Sequence, residues 1–447
     1  MYLAARPRGK TDMNRTKRAI LRWSFIGAFL LVAPIVILAT AGYRFNLAKG
    51  GLERTGVIIV DSDPRGAAVY LNDRRLAPTT PTKAVRVFPG SYQLRLEKAG
   101  YRPWERDITI ESGQTTFVND ATLFSESLPE FERALATDQV TFSPDGRFLA
   151  AIVESYGVLE MRIVDLRTGL EQTPWRAPAD LRVFRFSWST DGQRLLVERD
   201  GGVIPSFVVW DASAPDAAHD LTNRPFRQAF WSDNLLYAAD SAELYEIDPL
   251  TYSRQDVGPA AESLSVVGDT VYGLRPDPGG PVIVKRALRD SGYRDIAVLP
   301  SGAYHPISGG GHVGFVNDDQ IYLLGLSKSV TEIPGADGVW SADGSKFAHW
   351  DGLELHIYDV RSGTDNLLTR IGSDISDVAW FKHDAMVVYA GGGALTATAS
   401  GQPESKSEAT LATMDVIYGF YFDANSDHAW IVGKLGHDEG LFNLKLK

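Results

Sequence analysis

Cysteine is absent from the sequence. Its absence excludes disulfides, thiolate metal sites, cysteine nucleophiles and a lipidated N-terminal cysteine. Familiar catalytic signatures are missing as well. There is no G-x-S-x-G, and no stretch reads as an α/β domain able to carry a hydrolase triad. There is no H-E-x-x-H, so the usual zinc patterns fail. Basic charge is scarce beyond the first residues. Residues 1–22 hold Arg6, Arg8, Lys10, Arg15, Lys17, Arg18 and Arg22 against Asp12, a net +6, which leaves −17 for the rest of a chain whose total is −11. A body this acidic repels phosphates, and no nucleic-acid partner is expected.

What is present bounds the architecture. The 447 residues, 44% of them apolar and 23% charged, suggest two or three folded units with real cores. The basic stretch directly precedes "WSFIGAFLLVAPIVILATAGY", residues 23–43, which carries no charge. At helical rise such a run spans roughly 30 Å, the thickness of a hydrocarbon core. Pro34 is tolerable in a membrane helix, and Trp23 and Tyr43 stand at its two ends, where aromatic rings favour the headgroup region. The expectation is one uncleaved transmembrane helix with residues 1–22 as a basic cytoplasmic tail and everything after it outside the membrane. A cleaved signal peptide, with "ATA" at residues 39–41 as the processing site, is the competing reading.

After a linker over residues 44–55, short alternating strands begin at Gly56. "PGSYQLRLEKAGY" opens on a Pro-Gly turn and sets Tyr92, Leu94 and Leu96 on one face against Gln93, Arg95 and Glu97 on the other. About seventy residues of antiparallel β-sandwich follow from this pattern. Pro64-Arg65-Gly66-Ala67, Thr80-Pro81, Pro89-Gly90-Ser91-Tyr92 and Lys98-Ala99-Gly100-Tyr101 recur in the order of the PEGA domain, and residues 56–124 resemble that family. Its Glu position is Arg65 here. The resemblance implies a small sandwich in envelope or surface proteins and no chemistry. Gly66, Gly90 and Gly100 read as backbone requirements, and Tyr92 and Tyr101 as core aromatics.

Residues 125–139 read as a linker and closing strand, and residues 140–447 as strand after short strand. Units open near Val140, Phe186, Gln228, Leu264, Pro306, Gly338, Val378 and Tyr418, about 30 to 46 residues apart. Three openings share one text: "FSPDG" at Phe142, "WSTDG" at Trp188 and "WSADG" at Trp340. Pro144, Asp145 and Gly146 suit successive positions of a tight turn, so Asp145, Asp191 and Asp343 are expected as hairpin punctuation at one rim rather than as ligands or catalytic acids. A third strand often ends in an acid, and a more polar fourth strand exits. Sheets of this kind pack radially. The last unit stops at its third strand, and "LPEFERALA" before the first unit supplies the missing fourth. This region resembles the WD-like and Tol-type bacterial propellers, which carry degenerate Phe-Ser-Pro-Asp-Gly turns. The fold class expected is thus all-β with one N-terminal transmembrane helix: a small β-sandwich followed by a β-propeller of eight blades, with seven as the alternative.

No catalytic, cofactor-binding or metal-ligating residue is singled out, and no cofactor is expected. His219, His305, His312, His349, His356, His383, His428 and His437 read as isolated surface or strand residues. "GGGHVG" at residues 309–314 precedes a strand and reads as a loop; "NDDQ" (317–320) and "GHDEG" (436–440) read as hairpin turns. Trp188, Trp231, Trp340 and Trp380 recur on innermost strands and are expected between blades. Function divides three ways: a membrane-anchored envelope protein that displays a propeller to a protein, peptide or glycan; a propeller-type enzyme such as a glycan lyase, glycosidase or lactonase with its site on the axis; or a structural envelope component. Converging carboxylates or histidines on the axis favour the enzyme.

Overall fold

The computed structural model describes residues 15–47, 49–76, 78–200, 204–221, 225–325, 330–382, 384–401, 408–422 and 427–447. The chain divides into two compact units, Met1–Ala99 with Pro103–Leu123, and Gly100–Arg102 with Phe124–Lys447.

The first unit begins with the helix Arg15–Thr40, within which Ala19–Thr40 is long and apolar enough to cross a membrane and is not buried by protein. The helix ends three residues earlier than the uncharged run does. Gly42, at φ +87°, takes the left-handed conformation that closes a helix, and Tyr43 already starts a strand. The stretch read as a linker is a hairpin, Tyr43–Asn46 against Gly51–Arg54. Two sheets follow. Thr82–Val87, Gly56–Asp63 and Thr115–Thr122 form one; Arg74–Leu76, Ala68–Leu71, Gly90–Glu97 and Trp104–Ile110 form the other. The expected wholly antiparallel pattern fails at one place: Thr115–Thr122 runs parallel to Gly56–Asp63. The chain reaches that edge from the opposite sheet, and such a crossover permits parallel alignment where a hairpin does not. Leu94 and Leu96 are fully buried, as the alternation implies. Thr80 explains the turn text. Its hydroxyl accepts hydrogen bonds from the Gly66 and Ala67 amides and bonds Ser62 Oγ at 2.6 Å, while the exposed Arg65 side chain makes only a surface ion pair with Asp61. The hydrogen bonds of Thr80 thus go to backbone amides and to Ser62, and none needs the side chain at position 65.

In the second unit, the described residues form eight four-stranded sheets. The first seven are each built from four consecutive strands, spanning residues 140–178, 183–220, 228–259, 262–298, 305–334, 337–370 and 375–413. The eighth comprises Val416–Phe422, His428–Leu435 and Asp438–Lys445, with Glu130–Ala134 as its outer strand. The segment before the first sheet thus completes the last, and Phe131 packs edge-on against Phe442 at 5.4 Å. Innermost strands of successive sheets are neighbours, and Val416–Phe422 also neighbours Val140–Phe142, so the ring closes.

The repeated text has one structure in all three copies. Ser143 Oγ donates to Asp145 Oδ1 (2.5 Å) and accepts from the Phe148 amide, while the Arg147 amide donates to the same carboxylate. Ser189 with Asp191, and Ser341 with Asp343, repeat all three bonds. Each serine is fully buried, and each following glycine has φ between +67° and +69°. The turns also touch one another. Gln193 Nε2 donates to Asp145 Oδ2, and the Asp191 amide donates to Asn234 Oδ1 of the third sheet.

Tryptophans fasten neighbouring sheets. The Trp188 indole N–H donates to Thr141 Oγ1, that of Trp231 to the Ser187 carbonyl, and that of Trp380 to the Val339 carbonyl, each on the preceding innermost strand. Trp340 has no such partner and lies between His312 and Phe347, at ring distances of 4.7 and 4.6 Å.

Candidate functional site at the axis

The innermost strands surround a cavity of about 720 Å³. Thr141, Arg185, Asp337, Asp377, Tyr418 and Phe420 are among its lining residues and come from five sheets. The wall sets these charged and polar side chains among apolar ones, Val140, Phe142, Val183 and Phe186.

One register rule places the charges. Asp337, Arg185 and Asp377 each stand three residues before an inner-strand tryptophan: Trp340, Trp188 and Trp380. Odd spacing on a strand puts two side chains on opposite faces. All three charged residues line the cavity, whereas Gln228, three residues before Trp231, bonds the Leu264 amide of the fourth sheet instead.

Electrostatics within the ring are unusual for carboxylates. Loss of hydration pushes the Asp377 carboxyl up to about 7, and the negative charge of Asp337 adds to the rise; its own neighbour, the Val378 amide, acts against it. Asp337 is raised as well, chiefly by loss of hydration, with the Gly338 amide, His305 and Arg185 pulling it back. His305 is lowered by burial first and by Arg185 second. Glu198, opposite Arg185 on the next strand, is raised by burial against the pull of that guanidinium. Arg185 is exposed in the cavity. Two carboxyls whose affinities for protons are raised, beside one cation and a depressed imidazole, form a group able to bind a polar ligand or exchange a proton with it.

Asp145, Asp191 and Asp343 are turn residues with engaged carboxylates; the Ser345 amide is the main cause that holds Asp343 down at about 2. "GGGHVG" is a hairpin turn between His305–Gly309 and His312–Val316, where Gly310 packs so close that a Cβ would lie 2.4 Å from Gly344 Cα. Asn317 accepts from the Asp319 and Gln320 amides, which is a turn and not a cation loop. Gly436 and His437 form the bend between His428–Leu435 and Asp438–Lys445. His219 stacks on Tyr252, and His383 lies outside the described residues. The reading of all histidines as isolated needs correction. His305 is not isolated, since it feels the charges of Arg185 and Asp337, and neither are two histidines of the sixth sheet. His349 and His356 are equidistant from a hairpin turn, and strand pairing sets them directly opposite. Asp365 on the fourth strand of that sheet reaches both.

Residues 55–122 match the model of the PEGA domain. No curated protein matches the sequence. Among solved structures, the chain is similar to the C-terminal WD40 domain of Sif2 (12% identity, covering 71% of this chain and 99% of that chain, TM-score 0.47). It is similar to an oligogalacturonate lyase in complex with manganese (14%, 71% and 98%, TM-score 0.41). It is also similar to TolB from Acinetobacter baumannii (15%, 59% and 79%, TM-score 0.31). Likeness at these identities concerns the fold alone, and the chemistry of the axis rests on this chain's own residues.

Proposed function

We propose that this is a membrane-anchored, extracytoplasmic propeller that binds a peptide, protein segment or glycan at the mouth of its axial cavity. The single observation that carries the reading is the convergence of Arg185, Asp337 and Asp377 on one cavity from three sheets. A wall with a cation, two carboxyls and the aromatic rings of Tyr418 and Phe420 suits a ligand that offers hydroxyls or amides together with charge. Residues 19–40 provide the anchor, and the basic arm before them supports a cytoplasmic N-terminus.

A second reading is an enzyme that uses the same cavity. It is favoured by the convergence of two carboxyls on the axis, Asp377 pushed up to about 7 and Asp337 raised as well, which suits proton exchange with a bound ligand.

Both parts are testable on the full chain. The sequence lacks cysteine, so single cysteines report topology. Ser112→Cys should react with an impermeant maleimide on intact cells and Lys10→Cys only after lysis; the reverse pattern overturns the orientation. Detergent-purified protein screened by thermal shift against oligosaccharides and short peptides should show a melting temperature raised by at least one class. Conversion of that ligand to product transfers the assignment to the enzyme reading, and no shift from any class removes the binding reading.

A further inference from the structure

A second constellation lies away from the axis, across the sixth sheet. Its three outer strands, Lys346–Trp350, Glu354–Asp359 and Thr364–Arg370, contribute His349, His356 and Asp365 in turn. Asp365 Oδ1 is 2.9 Å from His349 Nε2, and Asp365 Oδ2 is 3.4 Å from His356 Nδ1. The imidazoles stack with centroids 5.1 Å apart. One nitrogen of each histidine and one carboxylate oxygen lie within 4.8 Å of one another.

Hydrogen bonding alone leaves this group incomplete. His356 Nε2 is 3.2 Å from Glu354 Oε2, which fixes a proton on that nitrogen in the neutral ring. Nδ1 then presents a lone pair to the Asp365 carboxylate, and it is buried with no hydrogen-bond partner. Two acceptors facing each other require a cation or an added proton between them. His349 Nδ1 is likewise buried without a partner, so both rings carry a nitrogen that the protein does not satisfy.

The spacing suits a metal ion. With bonds of about 2.0–2.2 Å, donors at right or tetrahedral angles lie about 2.9–3.5 Å apart, which fits each imidazole nitrogen against its own oxygen of the Asp365 carboxylate, Oδ1 for His349 and Oδ2 for His356. Two imidazoles and one carboxylate favour a late first-row divalent ion over calcium or magnesium, which prefer all-oxygen sets. Glu354 occupies the place of the outer carboxylate that orients a ligating histidine. His349 is 1% exposed and anchors the group, whereas the side chains of His356 and Asp365 are 18% and 25% exposed and leave a way in for the ion and a water.

We propose that His349 Nε2, His356 Nδ1 and Asp365 bind a divalent transition-metal ion, with zinc the best match to the donor set, three protein ligands and one position open to water. The test uses full-length protein, stripped with chelator and freed of any histidine tag, and titrated with zinc chloride by calorimetry. The expected result is one ion per chain and a melting temperature several degrees higher at saturation. Asp365→Asn and His356→Gln should each weaken binding at least tenfold, and Glu354→Gln, which leaves all three ligands in place, about tenfold. Cobalt(II) supplies a readout that needs no variant: bound to the wild-type chain it should give the visible bands of a low-coordinate nitrogen–oxygen site, and zinc should abolish them. Zinc uptake that is absent, or unchanged in both Asp365→Asn and His356→Gln, overturns the proposal, as does a cobalt spectrum identical to that of the aqueous ion. Such results would leave the group as a proton-bridged ion pair.

Discussion

Ser143 Oγ donates a 2.5 Å hydrogen bond to Asp145 Oδ1 and accepts one from the Phe148 amide, so one buried hydroxyl ties both ends of a hairpin together. The same two bonds recur at Ser189 and Ser341. A recurring acid in this chain is therefore bound to a recurring serine, and the pair serves the backbone.

Ser189→Ala should lower the stability of the second unit. It leaves the Arg194 amide without the hydroxyl it now uses and removes one donor to Asp191, a loss of about 1–2 kcal/mol for a buried bond. Denaturant midpoints with an unchanged slope would register it. An unchanged midpoint would mean that the turn does not need its serine.

The tryptophans give a paired test. Trp231→Phe removes packing and an inter-sheet hydrogen bond, whereas Trp340→Phe removes packing around an indole N–H that has no partner. Trp231→Phe should be the more damaging by about 1 kcal/mol. Equal losses would show that the inter-sheet bond contributes nothing net.

Ring closure depends on Gly440, which admits the strand Glu130–Ala134. A Cβ there would lie 2.0 Å from the Arg133 carbonyl oxygen. Gly440→Ala should push the closing strand away and lower the melting temperature by several degrees, and proteolysis should then begin within residues 125–138. A variant as resistant as the parent would contradict the role of that strand.

Much of this was legible because turns and strand alternation are local. The Ser-x-Asp-Gly text, the third-strand acids such as Asp165 and Asp211, and the closing segment all follow from short stretches. Residues 262–298 and 305–334, where the text is weak, form sheets like the others, because packing on both neighbours compensates for poor turn signals. The axis was not legible in the same way. Arg185 and Asp377 are nearly two hundred residues apart in sequence and meet only because separate strands point at one line. The pair His349 and His356 carried a signal, since each lies three residues outside the central pair of the turn region Gly352-Leu353, and strand pairing makes such residues partners.

The raised Asp377 carboxyl has a consequence for pH. Between about pH 4 and pH 7 the folded chain holds a proton there that the unfolded chain releases, so this group's contribution to stability falls as pH rises through that window. Asp377→Asn removes the effect. Its melting temperature should gain on the parent's as pH rises from about 4.5 to 7.5. A constant difference across the series would mean that Asp377 titrates at an ordinary value.

The central claim is that the axial charges form the binding site. The most direct measurement compares wild type, Arg185→Gln and Asp377→Asn in calorimetric titrations with whichever saccharide or peptide stabilises the wild-type chain. The account predicts that both variants fold with the parent's circular dichroism and bind at least tenfold more weakly. Binding that survives both substitutions unchanged would place the site elsewhere and contradict it.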